Sequence, residues 1–284
     1  MEKYMLDLFA ENIQTQRQIP AWMVRLYLSF FQPPLGKTLR LDMVKDVLQS
    51  YQFAGKRVLD VGCGIGDLSF LMAARGAEVV GVELDEEKVE RATAIARRWK
   101  FQQLRFIAGD VMRLDQMGLG QFDVITCIAL LEHIQQDEAL LTQMLSLLRP
   151  GGLLVVEVPS ATRKTIPEVE AADGHVRPGY FSDQLGTLLK RVGFRVKKRR
   201  TLDPLGLNYY WFRISRLMPG AKARLWLFAA LGPLFLTLIR LTSALFKGHG
   251  AELCFLAVAD KAHPSASPQD VEPRHEEMSI ATNN

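Results

Sequence analysis

Short apolar runs alternate along this chain with stretches in which apolar positions recur every three or four residues. The runs 58–61 (Val-Leu-Asp-Val), 77–83 (Ala-Glu-Val-Val-Gly-Val-Glu), 104–108 (Leu-Arg-Phe-Ile-Ala), 122–127 (Phe-Asp-Val-Ile-Thr-Cys) and 152–158 (Gly-Leu-Leu-Val-Val-Glu-Val) read as strands buried on both faces. Residues 39–51, 85–98 and 180–193 read as helices, the last with Ser182 as its cap. Pro150-Gly151 stops a helix, because proline lacks the N–H and glycine accepts the left-handed turn. Phe194–Arg199 and residues 252–260 add a sixth and a seventh strand. The alternation of strand and helix to residue 200 predicts an α/β fold, a parallel sheet covered by helices on both faces. Four regions follow: a helical N-terminal cap (1–36), broken at Pro20 and Pro33-Pro34; the α/β domain (37–200 and 251–261); an apolar helical insert (201–250); and a Pro-, Ser- and charge-rich tail (262–284) expected to be disordered.

The first strand runs straight into Gly62-Cys-Gly64-Ile-Gly66 and then a helix. Such a turn brings bare backbone N–H groups to a ligand. A dinucleotide site wants Gly-x-Gly-x-x-Gly/Ala. Gly62 and Gly64 fit, but the last slot is Asp67 and the third glycine comes one place early. Asp60, at the strand's end, also sets a like charge beside any pyrophosphate. At this point a nucleotide-like ligand is implied, and two kinds still compete.

The next strands carry acids at their ends. Glu83 lies about twenty residues beyond the turn, where a carboxylate accepts ribose hydroxyls; the plainer reading is a charge at a helix N-terminus. Asp110 closes the third strand, with a turn cap as its plainer reading. Together with 122–133 and 148–159 these segments resemble the class I S-adenosylmethionine-dependent methyltransferases, over residues 38–200 and again at 252–260. The resemblance implies a Rossmann-like, doubly wound, seven-stranded sheet whose last strand is antiparallel between strands five and six. It implies S-adenosylmethionine as cofactor, its cationic methionine half at Asp60, Gly62, Gly64 and Gly66, and its ribose at Glu83. Its adenine would meet Asp110 and the N–H of Val111, sandwiched between Leu84 and Met112, and Ile128, at the end of strand four, also counts among the cofactor-binding residues. Arg40, on the helix before strand one, is a candidate to pair the cofactor's carboxylate, with a solvated helix arginine as its plainer reading.

Within that superfamily the chain looks most like the quinone-type O-methyltransferases. Their motif Cys-x-Glu-x-Leu-Glu-His-Val stands here as Cys127-Ile-Ala-Leu-Leu-Glu-His-Ile134. In that group the two glutamates and the histidine are implicated in binding a divalent metal. Ala129 replaces the first glutamate, so no metal is expected, and a catechol-like acceptor is put in doubt. Methyl transfer from a sulfonium is an in-line displacement that mainly needs alignment and a dry site. The acceptor must also lose a proton. His133 is the first candidate for the catalytic base and His175, in the loop after strand five, the second; an ordinary structural role is the plain reading of each.

Composition changes this picture little until the insert is reached. The 284 residues are 48% apolar and 23% charged, ordinary for a globular chain. Cys63, Cys127 and Cys254 are scattered and read as free thiols of a reducing compartment. The N-terminus has no continuous apolar core and does not read as a signal peptide. The net charge is +4, and the dense basic run Arg195–Arg200 reads as an edge strand blunted by charge, not a nucleic-acid surface. Residues 225–246, however, are almost wholly apolar. Since strands six and seven share one sheet, both ends of the insert stay on one side, which forbids a single crossing. Gly232-Pro233 is expected to split the run into two short helices. These either lie in a membrane interface, with Lys222, Arg224, Arg240, Lys247 and the 195–200 cluster toward anionic headgroups, or form a lid on residues 1–36. The chain is thus expected to be a cytoplasmic enzyme for a small, lipophilic acceptor, with peripheral contact at the inner membrane face. A soluble-metabolite methyltransferase and a non-catalytic partner protein that keeps the fold are the alternatives. The oligomeric state is not legible.

Overall fold

A computed structural model describes residues 4–5, 7–8, 35–164, 174–218, 220–246 and 250–260. After α1 (Leu35–Val47) the chain alternates β1 (Arg57–Val61), α2 (Asp67–Ala73), β2 (Glu78–Glu83), α3 (Glu86–Arg98), β3 (Leu104–Ala108) and β4 (Phe122–Ile128). Then come α4 (Asp137–Leu147), β5 (Leu148–Pro159), α5 (Ser182–Val192), β6 (Phe194–Leu202), α6 (Leu207–Arg216), α7 (Gly220–Leu245) and β7 (Glu252–Ala259). The strands form one sheet in the order β3-β2-β1-β4-β5-β7-β6. All pairs are parallel except those of β7, antiparallel to β5 and to β6. This is the expected doubly wound architecture with its antiparallel last strand.

Alternation along the strands splits the core in two. Val58, Val79, Val124 and Val155 pack on one face with Phe70 and Ile95. Leu59, Val80, Ile125 and Val156 pack on the other with Leu141 and Leu189. Tyr4 joins the first face, its ring 5.8 Å from Phe70 and 5.1 Å from Phe101. The remainder of the N-terminal cap, residues 9–34, and the tail from 261 lie outside the described residues. The basic run lies on β6 at the sheet's edge, where its charges are matched: Lys198 and Arg200 by Asp46, Arg199 by Asp183.

Two local expectations are corrected. Ser182 is the first helical residue of α5, not its cap; Phe181 is the cap and gives no side-chain bond. The larger correction is the insert. It turns between Arg216 and Gly220, and α7 runs unbroken through Pro233. A proline inside a helix costs about 3 kcal/mol or more. Burial of Leu236 and Ile239 against Trp211 offsets that cost, and the Phe235 ring lies tilted against the indole, 4.7 Å between centroids. Arg240 is ion-paired with Asp42 of α1; the side chains of Lys222, Arg224 and Lys247 are outside the description. Among the described residues no helix is long and apolar enough to cross a membrane.

Candidate functional site

All parallel strands end at one edge of the sheet, and the crevice outside such strand ends is where an open α/β sheet binds ligands. There the glycine turn leaves β1 with positive φ at Gly62 (69°), Gly64 (56°) and Gly66 (89°). Each has its own reason. A Cβ on Gly62 would strike Leu130 at 2.9 Å, and one on Gly66 the Phe106 ring at 2.6 Å. At Gly64 a Cβ would meet nothing within 4 Å, so this residue faces open space. The turn borders a cleft of about 200 Å³ lined by Arg40, Asp60, Gly62, Gly64, Ile128 and Ala129, with Cys63 and Ile65. Five of the predicted cofactor residues meet there.

Acids surround this turn. Asp60 is 3% exposed, and its two oxygens accept from Ser69 Oγ (2.6 Å) and Thr126 Oγ1 (2.7 Å). Burial lifts its pKa to about 6 despite those bonds, and the charges of Asp67 and Glu83 add to the lift. Glu83, at the end of β2, accepts from the N–H of Gly64 (2.9 Å) and of Asp85 (3.2 Å). It therefore braces the turn as well as facing it. Leu84 is 70% exposed, an unusual position for a leucine. Asp110 accepts from Met112 N (2.9 Å) through one oxygen and caps the 3₁₀ turn Val111–Gln116, whose first side chain is buried. Leu84, Asp110 and Val111 thus follow β2 and β3, flanking the turn on the side away from Arg40.

A second group lies beyond β4. Ala129 turns the chain with a positive φ of 50°, rare for a residue with a Cβ. The 3₁₀ turn Leu131–His133 follows, and the segment 174–180 is fastened to it. Val176 N donates to Glu132 O (3.0 Å), and Arg177 donates to Leu131 O (3.0 Å) and Gln135 O (3.2 Å). Tyr180 OH donates to Asp137 (2.7 Å), and burial together with that carboxylate pushes the phenol pKa far up. His133 Nδ1 lies 3.3 Å from Gly174 O, and the rings of His133 and His175 stand edge to face at 4.6 Å. The two candidate bases, 42 residues apart in sequence, are neighbours. Beneath them Glu132 is 1% exposed. One ligating atom each from Glu132, His133 and His175 falls within 4.8 Å of the others.

Sequence reasoning missed a third feature. Glu157, on β5, is fully buried, and Arg40 Nε stands 3.6 Å from it. Arg40, expected to meet the cofactor's carboxylate, lines the cleft and also stands beside this strand glutamate. Neither Glu157 oxygen has a hydrogen-bond partner, nor has one oxygen of Glu132 and of Glu252. Burial pushes the Glu157 carboxyl well up; Arg40 opposes this, while Glu252 and Glu132 reinforce it. A lone glutamate inside Leu153-Leu-Val-Val-Glu-Val158 was the available signal.

The methyltransferase domain family matches residues 52–192. Ubiquinone biosynthesis O-methyltransferase of Psychrobacter arcticus is 42% identical over 113 residues, which cover 39% of this chain and 44% of that one. The Acinetobacter baumannii protein of the same name is 35% identical over 114 residues, 40% of this chain and 47% of that one. The chain thus spans less than half the length of these curated relatives. Among solved structures, Haemonchus contortus phosphoethanolamine N-methyltransferase 2 aligns with a TM-score of 0.57 at 17% identity, covering 79% of this chain and 53% of that one. The [4+2]-cyclase SpnF aligns at 0.55 with 19% identity, over 76% and 80%. The fold is shared; a cyclase among its bearers means that it does not by itself fix the reaction.

Proposed function

We propose that this chain, which through residues 52–192 belongs to the class I S-adenosylmethionine-dependent methyltransferases, methylates a hydroxyl of a small, lipophilic, quinone-type acceptor. The observation that carries the reading is the charge of the glycine turn. Asp60, Asp67 and Glu83 gather there and Glu83 holds the turn itself, a setting that repels a pyrophosphate and suits a ligand with an ammonium and a sulfonium. S-adenosylmethionine, when bound, supplies a methyl group already activated by positive sulfur. Asp60 fixes the ammonium end, Gly62 and Gly64 admit the chain closely, and Arg40 stands by the carboxylate. Glu83 accepts the ribose hydroxyls, while Leu84, Ile128, Asp110 and Val111 frame the adenosine. Gly66 keeps the turn in place against Phe106. His133, its Nδ1 anchored at Gly174 O, has Nε2 left to take the acceptor's proton, with His175 against its ring. Titration calorimetry tests the cofactor directly: S-adenosylmethionine binds and NAD does not. Tighter binding of NAD would reject the reading. Incubation with methyl-labelled cofactor and membrane lipid extract, followed by mass spectrometry, then identifies the product.

The lipophilic acceptor is tied to a second observation. Leu231, Leu234, Leu238, Leu241 and Leu245 are exposed on α7 at a spacing of three and four, with Phe212 of α6 and Leu217 just beyond it also exposed. We read this as a surface that lies in a membrane interface and feeds the acceptor to the site. Binding to vesicles then rises with anionic lipid and weakens in high salt without vanishing. Replacing Leu234, Leu238 and Leu241 by Ser releases the protein while cofactor binding survives. A native protein that stays in the supernatant with anionic vesicles at low salt leaves the insert as a lid and the acceptor as a soluble metabolite.

A further inference from the structure

We propose that Arg177 is a positioning residue for methyl transfer: its guanidinium latches the segment 174–180 onto the turn that carries His133, and so sets the tautomer in which that imidazole works. The contacts bracket His133. Arg177 Nη1 donates to the carbonyl of Leu131 (3.0 Å) and Nη2 to that of Gln135 (3.2 Å), two residues before the histidine and two after it. Three residues ahead of Arg177, the carbonyl of Gly174 stands 3.3 Å from His133 Nδ1. Between them Val176 N donates to Glu132 O (3.0 Å). One side chain thus holds the backbone on both sides of His133, and the segment that bears it supplies the hydrogen-bond partner of the ring.

The latch is itself held from behind. Asp137, the first residue of α4, pairs with Arg177 Nη1 at 2.9 Å through one oxygen, and its other oxygen accepts from Glu138 N (2.8 Å). The paired oxygen also accepts from Tyr180 OH (2.7 Å), and the buried Tyr180 ring lies 5.2 Å from the guanidinium carbon. Gly179 seats the far end of the segment. Its φ is 142°, and a Cβ there would stand 2.3 Å from Pro159 O at the end of β5. Reaching two carbonyls and a carboxylate at once takes the planar fork of arginine; the lysine ammonium is a point charge. Plain packing of the segment would also use such contacts, and the ring of His133 tells the two roles apart. A carbonyl only accepts, so the proton sits on Nδ1 and the lone pair on Nε2. Without the latch that preference is lost and the base moves. The inference rests on His133 as the base of the proposed reaction. The tautomer is read with no acceptor and no turnover, so the two fail separately.

The full chain with isotope-labelled histidine is followed by nitrogen NMR at a pH where the imidazoles are neutral. His133 is assigned by the signal lost in His133→Asn. The native ring is expected as the Nδ1–H tautomer, and Arg177→Ala shifts it toward Nε2–H. Methyl transfer from labelled cofactor into membrane lipid extract falls by about a hundredfold, the cost of a small misplacement of a reacting group. The cofactor's Kd is unchanged in calorimetry. Added guanidinium, well below the concentration that unfolds the chain, restores part of both readings, which a general loosening of the fold does not allow. Arg191→Ala, which breaks the exposed ion pair with Glu138 on the same helix, leaves both as in the native protein. Thermal melts establish folding, and Arg177→Gln carries the same test where the alanine variant does not fold. An unchanged tautomer overturns the proposal, and so does a shifted tautomer with native transfer. If the native protein methylates nothing in the extract, the functional reading fails on its own and the tautomer still decides the latch.

Discussion

The two halves of the site are built on opposite terms. At the glycine turn the fold satisfies its own acids: both oxygens of Asp60 and both of Glu83 accept hydrogen bonds from neighbours. Around β5 it does not: four carboxylate oxygens of Glu132, Glu157 and Glu252 are buried with no such donor. The first half is preorganised, its charges held at fixed positions before a ligand arrives. The second stores the cost of desolvated carboxylates, which burial pushes toward the protonated form.

Substitutions test that contrast. The largest effect is expected at His133. If it takes the acceptor's proton, His133→Ala lowers kcat by roughly 10²–10⁴-fold, with the cofactor's Kd unmoved in calorimetry. Native turnover in that variant would move the base to His175 and break the division as drawn. Next is Glu83→Ala, which removes charged hydrogen bonds and weakens S-adenosylmethionine by about 1.5–3 kcal/mol, some ten- to a hundredfold. Unchanged affinity in a folded variant would strip the cofactor half of its anchor.

Asp60 gives an effect of opposite sign on stability. The unfolded chain releases this proton near the ordinary 3.8, the folded chain at about 6. Between those values the folded state holds more protons, so stability falls as pH rises through the window and the cost is complete above it. The shift corresponds to at most about 3 kcal/mol. Asp60→Asn is therefore expected to melt higher than the native protein at pH 7 to 8, to match it more closely at pH 4, and to bind cofactor poorly. A melting difference that does not depend on pH would refute the electrostatic origin. A further pair of variants separates two glycines of one turn. Gly64→Ala, in open space, costs only the left-handed backbone, about 1–2 kcal/mol. Gly66→Ala adds a clash with Phe106 and costs about 1–3 kcal/mol more. Denaturant melts resolve the pair.

Much was settled locally. The five parallel strands, the glycine turn and the acids at the strand ends come from patterns a few residues long, because steric limits on φ and two-face burial act between chain neighbours. The basic run on β6 was legible for the same reason: an edge strand needs charge wherever it lies. Even the cofactor cleft follows from this, since parallel strands must end together. What only the tertiary structure decided involves partners far apart in the chain. The meeting of His133 with His175, the capture of Arg40 by Glu157, and the gathering of Glu132, Glu157 and Glu252 each join separate elements. No periodicity encodes such encounters. The continuity of α7 through Pro233 belongs with them: the local rule predicted a break, and the burial of Leu236 and Ile239 against Trp211 outweighed it. Short-range sterics wrote the scaffold into the sequence, and long-range packing chose which polar groups it would bring together.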